Sequence, residues 1–538
     1  MNGHLLNVVI VSPAMFMATA MVANRQFGAS LRLIKRMSLI ATTLAIITVA
    51  FIAITTTITG SAESNLFVAE GLGISLRFDP LSVIMFTMIA LISFVVVKFS
   101  FNYLDGDAKQ GIFIGRLSAT IASVQFLVLS GNLGILLVSW VLTSVFLHRL
   151  LLFYPDRPGA IIAARKKFII ARVGDACLII AIILLYKEFG TGNLNYISKQ
   201  VKAHFAHGTL PGEVEASAVF LALAAMLKSA QFPTHGWLIE VMETPTPVSA
   251  LLHAGLLNAG PFLIIRMAFI IHASTYAPLL LISIGGFTAL FASAVYLTQT
   301  SIKTALSYSS VAHMGFSLLV CGLGVFPAAM LHLVAHSFYK AHAFLSSGST
   351  IDVLRASKFE SVKRTGNPVK IIIGITLALI VYTGFAGMLG VDTTKHFSLF
   401  AIGAIMVLGL SRLLTSVTDS NGSAALLLRA GFITMLISVA FFSLEALSNH
   451  LIAAEVPEIG PNTATQKLFM SILLCAFAAA VLIQILAPII PNRNSYRSIA
   501  LHIRNGLYVN SAFDRLIGSL TIYSTGKTSS GLIRGKKQ

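Results

Sequence analysis

Long apolar runs separated by short polar segments divide this chain from end to end. A membrane span needs ~20 predominantly apolar residues. Stretches of that kind lie at 5–23, 37–59, 80–100, 112–130, 132–153, 168–187, 216–242, 246–271, 278–299, 303–324, 326–348, 369–390, 396–418, 427–447 and 466–489. The pattern predicts an all-α polytopic membrane protein with about 15 transmembrane helices. The seventh run is interrupted by Pro233 and Gly236. Proline removes a backbone donor and clashes with the preceding turn, so a break is expected near Gln231–Gly236. No repeat of 20–50 residues, soluble domain or long linker interrupts the series. The first run lacks a preceding Lys or Arg and a small-residue cleavage site, so it is expected to be a retained span rather than a signal peptide.

The polar segments carry orientation. Arg25, Arg32, Lys35 and Arg36 follow the first run, and Arg157, Arg165, Lys166 and Lys167 follow the fifth. Arg355, Lys358, Lys363, Arg364 and Lys370 follow the eleventh, and eight Lys/Arg follow the last. All these segments follow odd-numbered runs, so one orientation places them together in the cytoplasm. The connection with Glu455 and Glu458 then falls on the other side. The expectation is a bacterial inner-membrane protein with a periplasmic N-terminus and a cytoplasmic C-terminus. The basic tail after Pro491 is too polar to span, and residues 524–538 are expected to be mobile.

Composition agrees. Of 538 residues, 56% are hydrophobic and 11% charged, against ~25% charged in soluble domains, and the mean hydropathy is +0.85. The net charge of +18 does not indicate nucleic acid, because the basic residues cluster beside apolar runs. Cys177, Cys321 and Cys475 lie inside apolar stretches with no CxxC spacing, which argues against cysteine-held zinc or iron–sulfur clusters. P-loop, GxGxxG, GxSxG and HExxH motifs are missing, so no enzymatic role is expected of this chain.

What chemistry there is lies within the apolar runs. Lys228 sits well inside the run that begins near Ala216, where an unpaired lysine costs roughly 2.5–3.5 kcal/mol on insertion scales. Snorkelling to the interface is the plain alternative. His253 follows in the next run. His332, His336 and Lys340 recur every fourth position and share one helix face. Two histidines at i and i+4 can bind zinc, but the HExxH glutamate is missing and no carboxylate is close in sequence, and single polar residues also serve to hold helices together. Three titratable groups on one face favour a file that exchanges protons. Lys303 is either a cytoplasmic-side anchor or a functional group. Asp175 either pairs with Arg172 or takes part in transport. Glu240 and Glu243 either pair with Lys228 or reach water.

These residues carry a resemblance. Lys228-Ser-Ala-Gln-Phe-Pro233, Trp237 and Met242-Glu-Thr-Pro-Thr-Pro-Val-Ser-Ala-Leu-Leu-His253 closely resemble the central motif of the antiporter-like subunits of complex I and of multisubunit cation/proton antiporters. Arg172-Val-Gly-Asp175, Gln299-Thr-Ser-Ile-Lys303 and His332-Leu-Val-Ala-His336-Ser-Phe-Tyr-Lys340 do the same. The likeness covers about residues 80–420 and is most specific in 220–350. It implies two inverted five-helix repeats, runs four to eight and nine to thirteen, each with a broken helix near the midplane. The chain would then divide into N-terminal helices 1–111, repeats at 112–271 and 278–418, C-terminal helices 427–489 and a basic tail 490–538. The resemblance implies an ion-translocation set of Lys228, His253, His332, His336 and Lys340, joined by Lys303, Asp175 and Glu243, with no catalytic or metal residues.

Two positions depart from the family pattern. Trp140 is followed by Val141 where the family has a glutamate, and Thr383–Gly390 offers glycines but no charge. These departures resemble a divergent branch, the membrane subunits of DAB inorganic-carbon accumulation complexes, as does His502–Arg515. That resemblance implies a heteromeric complex with a large cytoplasmic zinc-binding partner of the DabA type, itself similar to β-carbonic anhydrase. H⁺ or Na⁺ flow would drive conversion of carbon dioxide to bicarbonate in that partner. Zinc would belong to the partner, with no cofactor in this chain, and the other contacts would be membrane lipids.

Overall fold

The computed structural model describes residues 7–25, 30–69, 71–348, 367–388, 424–460, 462–486 and 494–525, with isolated positions between 397 and 419. The basic connection at 349–366, most of the run at 396–418, the end of the glycine stretch at 389–390 and residues 526–538 lie outside the described residues.

The helices are α1 (Val11–Arg25), α2 (Leu31–Thr59), α3 (Pro80–Tyr103), α4 (Gln110–Val128), α5 (Leu133–Leu151), α6 (Pro158–Phe189) and α7 (Leu194–Ala206). Then come α8 (Gly212–Lys228), α9 (Gly236–Glu240), α10 (Thr246–Leu251), α11 (Ala259–Arg266), α12 (Ala268–Ala273), α13 (Tyr276–Tyr296), α14 (Ile302–Gly322) and α15 (Phe326–Leu345). The chain continues through α16 (Pro368–Met388), α17 (Ala424–Ile452), α18 (Ala464–Leu486), α19 (Asn494–Arg504) and α20 (Val509–Thr525). Eleven candidate spans among the described residues are long and apolar enough to cross a membrane. The seventh run is split into α8 and α9. The eleventh is the helix α15, whose histidines and lysine dilute its hydropathy, and the twelfth is α16. Fifteen is therefore a count the sequence supplies, with eleven matched by apolar helices.

Three features depart from the sequence pattern. First, the segment before α3 is a two-stranded antiparallel hairpin, β1 (Ala62–Ala69) and β2 (Leu72–Phe78), with an irregularity between Asn65 and Phe67. Ser75, Leu76, Arg77 and Phe78 are buried in succession, so both faces of this end of β2 are covered. The fold is helical, with β1 and β2 the only strands among the described residues. Second, α6 begins ten residues before the apolar run it contains. Lys166 and Lys167, expected in a solvated loop, are buried in its third turn. Hydropathy ends a run at a lysine, whereas the fold supplies those lysines with acceptors. Third, the tail folds back on the chain as α19 and α20, and Phe513 packs against the main core.

Local capping sets several ends. Asp79 caps α3 by accepting from Ser82 N at 2.7 Å, with Pro80 at the first helical position. Asn132 caps α5 by accepting from Ile135 N at 2.8 Å. The antiparallel pair α13–α14 approaches closely through glycine. A Cβ on Gly285 would lie 2.8 Å from Gly315 O, and one on Gly315 would lie 2.7 Å from Ala289 N. Small residues of this kind let membrane helices gain backbone packing, and here they fix α14 against α13.

Candidate functional site

The first centre is built at the break. Lys228 is the last residue of α8, Ala230 adopts a positive φ of 51°, and α9 resumes at Gly236. The break, residues 229–235, overlaps the interval expected from Pro233 and begins two residues before it. A helix C-terminus concentrates partial negative charge, so a terminal lysine is favoured there. Lys228 Nζ donates to Thr143 Oγ1 at 2.8 Å, Ser144 Oγ at 2.9 Å and Trp140 O at 3.0 Å. It also lies 4.4 Å from the centroid of the Trp140 ring. All four contacts come from α5, the helix on which the family places a glutamate. Here hydroxyl and carbonyl oxygens, rather than a carboxylate at 141, take the ammonium protons. The acidic group that acts electrostatically on Lys228 is Asp175 of α6, itself buried and paired with Arg172 at 2.7 Å.

A small cavity of about 20 Å³ adjoins this lysine, lined among others by Thr143, Ser144, Lys167 and Trp237 and walled by Leu252 and Leu256. That is room for about one water. Lys167 Nζ donates to Ser144 O at 2.5 Å. Sequence reasoning missed Lys167, because it reads as one of three consecutive basic loop residues. The signal available was its spacing: it lies eight residues, about two turns, before Asp175.

The two glutamates do not meet Lys228. Glu240 accepts from Lys166 at 2.5 Å and from Asn510 Nδ2 at 2.8 Å. Glu243 accepts from Ala160 N at 3.2 Å, and its backbone carbonyl accepts from Arg157. The pairing of either with Lys228 is corrected: α9 carries Glu240, and the 3₁₀ turn that follows it (Val241–Glu243) carries Glu243, to the start of α6. Lys303 is half-buried and lies 3.5 Å from Thr246 Oγ1, at the start of α10.

The second centre lies on α14 and α15. Between α10 and α11, residues Leu252–Leu256 form a turn of π-helix, a local distortion frequent at functional positions. It carries His253, whose Nδ1 lies 2.8 Å from Ser310 Oγ and whose ring stacks on Phe344 at 4.2 Å. Asn258 Nδ2 donates to Ser337 Oγ at 2.6 Å, tying the π turn to α15. Lys340 is fully buried and donates to Leu306 O at 3.0 Å. His336 is buried one turn away, and His332 one turn further. His313 of α14 meets this face, with Nδ1 at 3.2 Å from His332 Nε2 and its ring centroid 4.8 Å from that of His336. Sequence reasoning missed His313 because its partners are on another helix. The structure thus brings His253, His332, His336 and Lys340 into one region, Lys228 and Asp175 into another, and leaves Lys303 and Glu243 beside the helix starts.

A separate buried ionic cluster holds the opposite end. Arg266, the last residue of α11, pairs with Asp79, which also pairs with Arg77 at 2.7 Å; Arg77 in turn pairs with Glu455. This cluster joins β2, α3, α11 and the connection after α17.

With this geometry in place, the chain was compared with known proteins. It matches the family "NADH:quinone oxidoreductase/Mrp antiporter, TM" over residues 130–418 and "NADH-Ubiquinone oxidoreductase (complex I), chain 5 N-terminus" over 70–114. It is 33% identical over 522 residues to a probable inorganic carbon transporter subunit, DabB2, of Halothiobacillus neapolitanus, covering 95% of this chain and 93% of the relative. It belongs to the NADH:quinone oxidoreductase/Mrp antiporter family of membrane subunits, in a DabB-like branch. Subunit L of the NADH-quinone oxidoreductase of Escherichia coli is 33% identical over 328 residues, 61% of this chain and 53% of that one. Among solved structures, a chain of the Mrp complex from Dietzia sp. DQ12-45-1b superposes with a TM-score of 0.66 at 22% identity, covering 97% of this chain and 60% of that one. That likeness shows a shared antiporter-like fold. Both centres fall inside the matched span of the family, and the chain is a multi-span membrane protein of antiporter-like type.

Proposed function

We propose that this chain is the ion-conducting membrane subunit of an inorganic-carbon (carbon dioxide/bicarbonate) pump. H⁺ or Na⁺ passing through it would drive a large cytoplasmic zinc-binding partner of the DabA type, where the hydration chemistry takes place. The observation that carries this reading is Lys228, buried at a broken helix and held by three α5 oxygens rather than by a fixed carboxylate partner. An ionisable group buried at a broken helix is the hardware of translocation rather than of scaffolding. The second centre, His253, His332, His336 and Lys340, supplies exchangeable groups on facing helices. The near full-length similarity to a relative named as a probable inorganic carbon transporter subunit supports the substrate. The clustering of basic segments after odd-numbered runs supports a periplasmic N-terminus and a cytoplasmic tail in a bacterial inner membrane.

A second reading, a subunit of a cation/proton antiporter or of a redox-driven pump, draws on the Mrp and subunit L similarities. One experiment separates the two. The chain is expressed in a host that requires elevated carbon dioxide, with and without a co-encoded large zinc-ligand-bearing protein. Growth in air that needs both proteins, and is lost with Lys228→Ala while the complex still assembles, supports the carbon pump. Sodium or quinone-linked activity without growth rescue supports the second reading.

A further inference from the structure

In the sequence, no carboxylate lies close to His332 and His336 to complete a metal site with them. The fold supplies a third ligand from α14. The ligand nitrogens of His313, His332 and His336 all lie within 4.8 Å of one another, and the His313–His332 pair is already at 3.2 Å. In a tetrahedral site with metal–nitrogen bonds of 2.0–2.1 Å, such nitrogens stand about 3.3 Å apart, so ring rotations of roughly 1–2 Å complete the set. Neither ring nitrogen of His336 has a hydrogen-bond partner among the described residues, although the side chain is buried. A buried polar group without a partner is costly, and a metal would satisfy it.

We propose that His313, His332 and His336 form a binding site for one transition-metal dication of the zinc class, and that filling it stops ion passage along the α15 face. The ligands sit on two helices whose relative position is fixed by packing, as a metal site requires. His332 and His336 present the i, i+4 pair and His313 closes the triangle from the facing helix. Access is provided by a cavity of about 340 Å³ lined by His313, His332, Ser293, Ser309, Tyr296 and Phe477, among others. The cavity leaves room for a fourth ligand the size of a water, the arrangement of three-ligand zinc sites. Three neutral imidazoles select zinc, copper or nickel, and reject calcium and magnesium, which need oxygen donors. The blocking step rests on the transport reading above, because a coordinated imidazole has no free nitrogen lone pair at the metal-bound position with which to pass a proton. The binding step does not rest on it.

The binding test uses the full chain purified without its zinc-binding partner and reconstituted in lipid, so that zinc held by the partner is not counted. Zn²⁺ titrated calorimetrically should bind once per chain. His313→Gln, His332→Gln and His336→Gln should each weaken that binding by about 100-fold or more, since even outer-shell partners cost 10–100-fold. Mg²⁺ and Ca²⁺ should not compete. X-ray absorption on the unaltered zinc-loaded chain should show three imidazole nitrogens, which keeps the proposal testable if a variant misfolds. A sulfur- or carboxylate-dominated shell, absence of stoichiometric binding, or unchanged affinity in all three variants overturns the site. In proteoliposomes, Zn²⁺ should stop flux and a chelator should restore it. Continued flux with the site filled overturns the block alone. A chain that conducts nothing in the absence of zinc defeats the transport reading, with the calorimetry still deciding the site.

Discussion

Lys167 and Lys228 converge on Ser144: the backbone carbonyl accepts from Lys167 at 2.5 Å and the hydroxyl accepts from Lys228 at 2.9 Å. Two ammonium groups from different helices thus share one residue of α5 and border the same water-sized cavity. This makes α5 the helix that positions both, without a carboxylate.

Lys228→Ala is expected to leave assembly intact and to lower ion flux by ~10²-fold or more, the usual cost of removing a positioned proton-exchanging group. The check is flux in proteoliposomes beside a size-exclusion profile. Full flux in this variant removes Lys228 from the mechanism.

Lys167→Met keeps the aliphatic stem and deletes the charge. Flux should fall at least tenfold, a modest share of the ~10²–10⁴-fold range for such groups, while Arg165→Met, in the same basic run, leaves it unchanged. Equal effects of the two would mean that Lys167 serves only the local charge of the α6 start.

His336→Ala should reduce transport, because it removes the middle group of the α15 face between His332 and Lys340. The readout is flux at matched protein content. Undiminished flux would confine ion passage to the first centre.

Arg266→Ala leaves Asp79 buried against Arg77 alone. Breaking one partner of a buried pair costs about 3–5 kcal/mol, so the melting temperature and yield of the purified chain should drop. Loss of flux with an unchanged melting curve would instead give this cluster a part in conduction.

His502–Arg515 interleaves Leu507, Tyr508, Val509 and Phe513 with charge, as a surface that docks a soluble partner would, but not all of it is free. Asp514 and Asn510 are instead committed to Lys166, and Asn510 also to Glu240, while Leu507, Tyr508 and Leu516 remain exposed. Removal of residues from Arg493 onward should release the partner from membranes, whereas removal after Thr525 should not. Tyr508→Asp should weaken docking without detaching the tail, and the remaining attraction should fade with salt. A partner that stays bound after the longer truncation docks on the short loops.

The sequence by itself determined the class of this protein, because a bilayer imposes a length and polarity on each crossing that composition cannot hide. It also determined the break at Pro233, since the missing backbone donor is a property of the residue, and the shared face of His332, His336 and Lys340, which follows from helical period alone. Tertiary structure decided who meets whom. It paired Lys228 with α5 hydroxyls, sent Glu240 and Glu243 to the start of α6, buried Lys166 and Lys167, and brought His313 to His332 and His336. Those contacts join residues tens to hundreds of positions apart, and no local period or propensity encodes them. They arise where close helix packing and the burial of polar groups leave each donor only a few acceptors within reach.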